Sequence, residues 1–343
     1  MSETPLIYSL GVIPLASTEL GRLGSIEAMS IAEDNFQLPR ECCSMVKTLL
    51  GEFYLRKDST VKKVVTNIFC EPLKMLYDVI EKYGFDIKLI DQGTNVGSAD
   101  SERYENLFKH YVEEIQDVAR WLTGHEIDED KLGAEIKRYN RVLKKAFEFL
   151  KLKKKHPKYV LSLPTVIVIL GSAHYFGKPD EYEAALDELI DELKSLGDDE
   201  YNDKVVPILW SGARGQEFGV YQAIDEAGSS ILGRASAPRL NSYFDESIPP
   251  LESFVNYQLT GLVGSKTADG YPFVEAEIKR SGAKGILQYG YIGCSTTGIS
   301  SELTRKYFHN RGIPSMELFG SYQVGAPSGQ LITRVKAFIE MLA

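Results

Sequence analysis

Positive charge is in short supply in this chain: 39 lysines and arginines face 48 aspartates and glutamates, a net charge of −9 over 343 residues. A phosphate footprint needs a basic surface, so the balance argues against a nucleic-acid partner, though not against an anionic small molecule in a local basic pocket. Long apolar runs are missing too. The longest, residues 160–170 and 285–292, fall well below the ~20 residues that span a bilayer, so no membrane segment is expected. The opening MSETPLIYSLGVIPLAS puts no basic residue ahead of its apolar stretch, which reads as no signal peptide and a cytoplasmic protein. No GxxxxGK[ST] loop occurs, so no nucleotide site of that kind is expected. Repeats and low-complexity segments are absent. Cysteine is scarce, with four residues, and in a reducing cytosol these are not read as two disulfides.

What remains is an alternation of short apolar runs and amphipathic stretches. The length favours two domains. In the first half, residues 6–15, 62–69 and 85–90 read as strands. Residues 39–54 and 71–83 read as helices with Pro39 and Pro72 in their first turns. From 100 to 155 the pattern is that of long amphipathic helices. In the second half, strands are predicted at 165–170, 205–210, 230–232, 285–292 and 315–319. Helices are predicted at 182–196, 218–227, 300–310 and 331–342. Such alternation implies an α/β fold with parallel sheets covered on both faces. The predicted architecture is two Rossmann- or flavodoxin-like lobes with a long helical segment between them. The first lobe with its helical extension takes 1–160 and carries Cys43 and Cys70; the second takes 161–343 and carries Cys294.

Three cysteines fall at comparable places in this scheme. Cys70 ends one strand and opens the next helix, Cys294 does the same after GILQYGYIG, and Cys43 sits in the first turns of the helix begun at Pro39. Ligands of open α/β sheets collect beyond the carboxyl ends of the strands. Helix N-termini there favour thiolate, and soft thiolates select iron–sulfur clusters or zinc. The spacings match no local zinc or ferredoxin motif; a site shared between lobes would need such spacings. Buried cysteine as a small apolar side chain explains the same positions. Cys42 has only that bland reading, because adjacent helical residues point about 100° apart.

The wording around these residues resembles the 2-hydroxyacyl-CoA dehydratase and benzoyl-CoA reductase superfamily. LPRECCSMVKTLLG, VVTNIFCEPLK and GYIGCSTTGISSELTRKYFHNRGIPSMEL are similar to its three cysteine segments, with Cys43, Cys70 and Cys294 on the ligand positions. GQLITRVKAFIEML resembles its C-terminal signature, and LGAEIKRYNRVLKKAFEFLKL its central helix with the pair Asn140 and Arg141. The likeness runs from about Gly11 to the end, with differences after Glu317 and after Ser230. The resemblance implies a [4Fe–4S] cluster on three cysteines with one open iron. It also implies an oxygen-sensitive enzyme subunit that eliminates water from an (R)-2-hydroxyacyl-CoA, giving an enoyl-CoA through a ketyl radical. The implied partners are a homologous second subunit, an acyl-CoA substrate and a separate ATP-dependent [4Fe–4S] activator docking transiently. An aryl-CoA reductase subunit would use the same cysteines, and a non-catalytic electron-relay or structural subunit is the alternative of another class. A double-cubane type would need six cysteines.

Other segments are weaker candidates. Ser211, Gly212 and Arg214 lie in a glycine-containing loop after the strand at 205–210, and Gly329 and Gln330 lie beside the C-terminal signature. Both segments could bring backbone N–H groups to a substrate, and both also read as turns the fold requires. The basic run 144–158 could attract the phosphates of coenzyme A, against the commoner reading as a solvated helix end. His174, after ILGSA, is the histidine nearest a predicted strand end and a candidate acid/base, against the commoner structural role. The acidic clusters at 187–192 and 198–200 read as solvated surface.

Overall fold

A computed structural model describes residues 3–15, 25–67, 70–91, 101–197, 205–212, 217–235, 242–260, 267–322 and 324–343. The chain is α/β, with two parallel sheets among these residues. It opens on helices α1 (Thr4–Ser9), α2 (Ser25–Asp34) and α3 (Ser44–Leu55). Strand β1 (Lys63–Asn67), helix α4 (Glu71–Ile80) and strand β2 (Asp86–Ile90) form the first parallel unit, in register Lys63↔Asp86 to Asn67↔Ile90. Two long helices follow, α5 (Glu102–Thr123) and α6 (Glu129–Lys153), capped by Ser101 and Asp128. Helices α7 (Ser162–Gly171) and α8 (Pro179–Ser195) lead into the second sheet.

That sheet contains β3 (Val206–Gly212), β4 (Ser229–Arg234), β5 (Gly285–Tyr291) and β6 (Ser315–Gly320), all parallel, in the order β4-β3-β5-β6. Its connections carry α9 (Gly219–Glu226), α10 (Pro250–Thr260), α11 (Tyr271–Ser281) and α12 (Ser295–His309), and α13 (Gly329–Leu342) closes the chain. Alternate side chains point to opposite faces of a strand. Accordingly Ile208, Trp210, Leu287 and Tyr289 enter one core, with α9 and α13, while Leu209 and Ile286 enter another with Tyr271, Val274 and Phe308. Every residue of β5 is buried, as expected of a parallel strand covered on both faces. A separate helical core gathers Leu6, Ile115, Leu143 and Phe149 with Leu186, Phe254 and Leu259.

Three local expectations are corrected. Residues 6–15 do not form a strand: Thr4–Ser9 is a helix with Pro5 in its first turn, where a missing N–H costs nothing. Residues 165–170 lie inside helix α7, not in a strand. A short apolar, β-branched run reads alike as a buried strand or a buried helix, and the flanking chemistry decides here. Asp225 accepts from Ser162 N (3.0 Å) and Oγ (2.6 Å), satisfying the helix start. Finally, the third helix begins at Ser44, not Pro39, which lies in a turn closed by Cys42 N donating to Pro39 O at 3.1 Å. Cys43 is therefore the residue before the helix, and the 100° argument separating it from Cys42 does not apply. No helix among the described residues is long and apolar enough to cross a membrane.

Candidate functional site

Cys43, Cys70 and Cys294 each occupy the residue immediately before a helix, at the starts of α3, α4 and α12. Two of these helices follow parallel strands, β1 and β5, at the carboxyl end where orphan backbone N–H groups and the helix dipole face outward. None of the three thiols closes a side-chain capping hydrogen bond. The N–H groups of Met45 and Val46 nevertheless favour thiolate at Cys43, and those of Thr296 and Thr297 do so at Cys294.

The structure places Cys43 and Cys294 side by side, both against the core of the second sheet. The Cys43 thiol donates toward the Cys294 sulfur, and this hydrogen bond is the main reason the Cys294 pKa falls below the ordinary thiol value. The same bond, followed by burial, pushes Cys43 upward. The two shifts run in opposite directions, which places the lower pKa on Cys294. Thr297 Oγ1 lies 3.1 Å from the Cys294 sulfur and reinforces that placement.

This juxtaposition is built by the backbone. Ser44 N donates to Ile292 O at 2.9 Å, and Tyr322 N donates to Ser44 Oγ at 3.2 Å, docking the first cysteine segment on the ends of β5 and β6. Gly293 makes the approach possible. Its φ is +80°, and a Cβ there would lie 2.6 Å from Cys42 C and 2.7 Å from Cys42 O, and nearer still to Glu41 O. From the other side, buried Lys47 pairs with Glu33 (2.7 Å) and donates to Arg40 O (3.1 Å), tying residues 39–43 to α2 and α3.

Cys70 stands apart from this pair. It packs against the apolar cluster of Leu49, Phe53, Leu73 and Tyr77, as Cys43 does, but among the described residues no three Cys, His, Asp or Glu side chains converge closely enough to hold a metal ion. Cys43 also packs against the core of the second sheet, together with Cys294. The donor chemistry, soft sulfur at helix N-termini, fits an iron–sulfur cluster at Cys43 and Cys294. An open concavity of about 440 Å³ lined by Ile292, Gly293, Cys294, Ser295 and Phe319 lies beside the pair.

The weaker candidates resolve unevenly. Ser211 and Gly212 end β3, and Arg214 lies outside the described residues. Gly212 has φ +82°, and a Cβ would strike Tyr289 O, so a close approach of β3 to β5 explains it. Ser211 is buried, with its Oγ 3.5 Å from Ala235 O. Gly329 and Gln330 are exposed at the start of α13 behind the capping Ser328. The start of α9 does approach the stretch before α13, since a Cβ on Gly219 would lie 2.7 Å from Pro327 Cδ. His174 follows a helix rather than a strand. It is buried, and its Nδ1 accepts from Phe176 N at 3.2 Å. Asn140 pins residues 244–246 through Phe244 N (2.9 Å), Phe244 O (2.9 Å) and Glu246 Oε1 (2.7 Å), while Arg141 makes a bidentate pair with Glu183.

Sequence reasoning missed Glu217. This buried carboxylate accepts from Tyr289 Oη (2.6 Å) and Ser321 N (3.2 Å), fastening the segment after β6 whose next residue reaches Ser44. Its only signal in the sequence is its position just past the SGARG loop. Gly293 had a clearer one, as the residue directly before Cys294.

The comparisons with known proteins agree with this geometry. Residues 3–342 match the family described as 2-hydroxyglutaryl-CoA dehydratase, D-component. The chain is also similar to the beta subunit of (R)-2-hydroxyglutaryl-CoA dehydratase of Acidaminococcus fermentans, with 25% identity over 360 residues covering 98% of this chain and 89% of that one. A match from end to end, with cysteines before helices at the carboxyl ends of parallel strands, leads to one statement: this chain belongs to the 2-hydroxyglutaryl-CoA dehydratase D-component family, within the 2-hydroxyacyl-CoA dehydratase superfamily.

Proposed function

We propose that the chain is a subunit of an iron–sulfur lyase that removes water from an (R)-2-hydroxyacyl-CoA to give an enoyl-CoA by a radical route. The observation that carries this reading is the contact of Cys43 with Cys294 at two helix N-termini beside an open concavity, in a chain of this family. Cys43, Cys70 and Cys294 would hold a [4Fe–4S] cluster. When bound, such a cluster supplies an open iron that acts as a Lewis acid and one-electron donor toward a thioester carbonyl.

The chain's own residues provide the setting. Gly293 and Ser44 hold the two thiols together, and the helix N-termini favour their anionic state. The segments around Ser211, Gly212, Arg214, Gly329 and Gln330 are the proposed wall for the acyl-CoA, because β3 ends where the strand order reverses. A partner subunit accompanies the beta subunit of the Acidaminococcus enzyme by that protein's name, and we assign this chain a homologous partner and a separate ATP-dependent activator.

The test mixes the anaerobically purified chain, its homologous partner, the activator, ATP and a reductant with an (R)-2-hydroxyacyl-CoA. Enoyl-CoA should form only in the full mixture, with about four iron and four sulfide per cluster. Dehydration by this chain alone without ATP would overturn the radical route. Turnover of an aromatic acyl-CoA instead would overturn the substrate class.

A further inference from the structure

The contact between Cys43 and Cys294 carries chemistry that needs no metal. The two sulfurs come from distant parts of the sequence, yet their backbones are clamped by Ser44 N to Ile292 O at 2.9 Å and by the close seat of Gly293 against residues 41 and 42. All four cysteines are free thiols and half-buried. Competing pairings are poorly placed. Adjacent Cα atoms across a trans peptide are about 3.8 Å apart, below the ~4.4 Å minimum usual for a disulfide, which disfavours Cys42 with Cys43. Among the described residues Cys70 joins no cluster of three ligating groups with this pair. Cys294 lines the open concavity, so a small molecule reaches it first.

We propose that Cys43 and Cys294 are a reversible redox modification site. In the chain free of bound metal, a low-molecular-weight disulfide oxidises this pair, in preference to any other, to an intramolecular disulfide. Cys294 gives up its proton and its sulfur attacks the small disulfide, whose S–S bond breaks and releases one thiol. Cys43 then gives up its proton and displaces the second thiol from the mixed disulfide. The two protein sulfurs together lose two electrons and two protons, and the small disulfide is reduced to two thiols. The linked form withdraws two of the three proposed cluster ligands until a dithiol reductant restores them.

The experiment treats the full-length chain, stripped of metal by a chelator and reduced, with oxidised glutathione, followed by non-reducing digestion and mass spectrometry. The expected result is a species two hydrogens lighter, with Cys43 joined to Cys294. It should form equally in Cys42→Ser and Cys70→Ser, be absent in Cys294→Ser, and be reversed by dithiothreitol. A Cys43–Cys70 or Cys42–Cys43 link, a stable glutathione adduct, or four remaining thiols would each overturn the proposal. Because linkage is read on metal-free chain, its failure leaves the cluster assignment standing, and a chain that never binds iron leaves this test intact.

Discussion

Gly293→Ala is the sharpest single perturbation of the site. An alanine at φ +80° pays roughly 1–2 kcal/mol for the left-handed backbone. Its Cβ would also sit 2.6 Å from Cys42 C, well inside contact distance, so residues 41–43 must withdraw from the end of β5. That movement stretches Ser44 N to Ile292 O and Tyr322 N to Ser44 Oγ, each worth about 1 kcal/mol. The total is on the order of 3 kcal/mol. With an unfolding entropy of ~2.1 cal/mol/K per residue, this lowers the melting temperature by about 4 °C. Thermal unfolding measures it, and the rate of Cys294 alkylation in metal-free chain should fall as Cys43 moves away and the hydrogen bond that lowers the Cys294 pKa is lost. Gly298→Ala is the control: its Cβ meets only Phe319 Cζ at 3.8 Å inside α12, so it should be neutral or stabilising by about 0.5–1 kcal/mol. If Gly293→Ala melts with the wild type and Cys294 reacts at the wild-type rate, the docking argument is refuted.

Further outcomes follow from other sites. Cys43→Ser, Cys70→Ser and Cys294→Ser should each lose iron in anaerobic preparations while Cys42→Ser keeps it; the reverse for 42 and 43 would shift the ligand by one residue. Burial lowers the pKa of Lys153 to about 7, below its ordinary 10.5. Between pH 7 and 10.5 the unfolded chain therefore binds the extra proton, and stability should climb with pH across that window by up to about 5 kcal/mol and stay flat below it. Urea titrations of Lys153→Met should lose that climb. Asn140→Ala strips the backbone of Phe244 of its partners and should cost about 2–4 kcal/mol, with faster amide exchange at 242–247.

The α/β class, the parallel sheets and the intervening long helices were legible because their signals are periodic and repeated. Strands β5 and β6 and the helices after them fall within a few residues of the expected places. The failures share a cause. Residues 166–170 are apolar on all sides, so no face distinguishes helix from strand. The start of α3 was misplaced because Pro39 is a good first-turn residue, whereas tertiary docking of Ser44 on Ile292 sets the real start. Cysteine position was legible from strand-to-helix punctuation. The hydrogen-bonded pairing of Cys43 with Cys294, and the role of Glu217 behind it, depend on contacts between distant segments that no local pattern records.

Each of the three cysteines before helices α3, α4 and α12 stands where serine, threonine, aspartate or asparagine would cap the helix. A good cap contributes about 1 kcal/mol over a residue that makes no capping bond. Stability and chemistry therefore pull in opposite directions at positions 43, 70 and 294. A metal-free variant with serine at such a position should melt no lower than metal-free wild type, although it would lack a proposed cluster ligand. If the proposed ligand role holds, descendants released from selection for it would drift toward serine or aspartate there, gaining robustness as they fall silent.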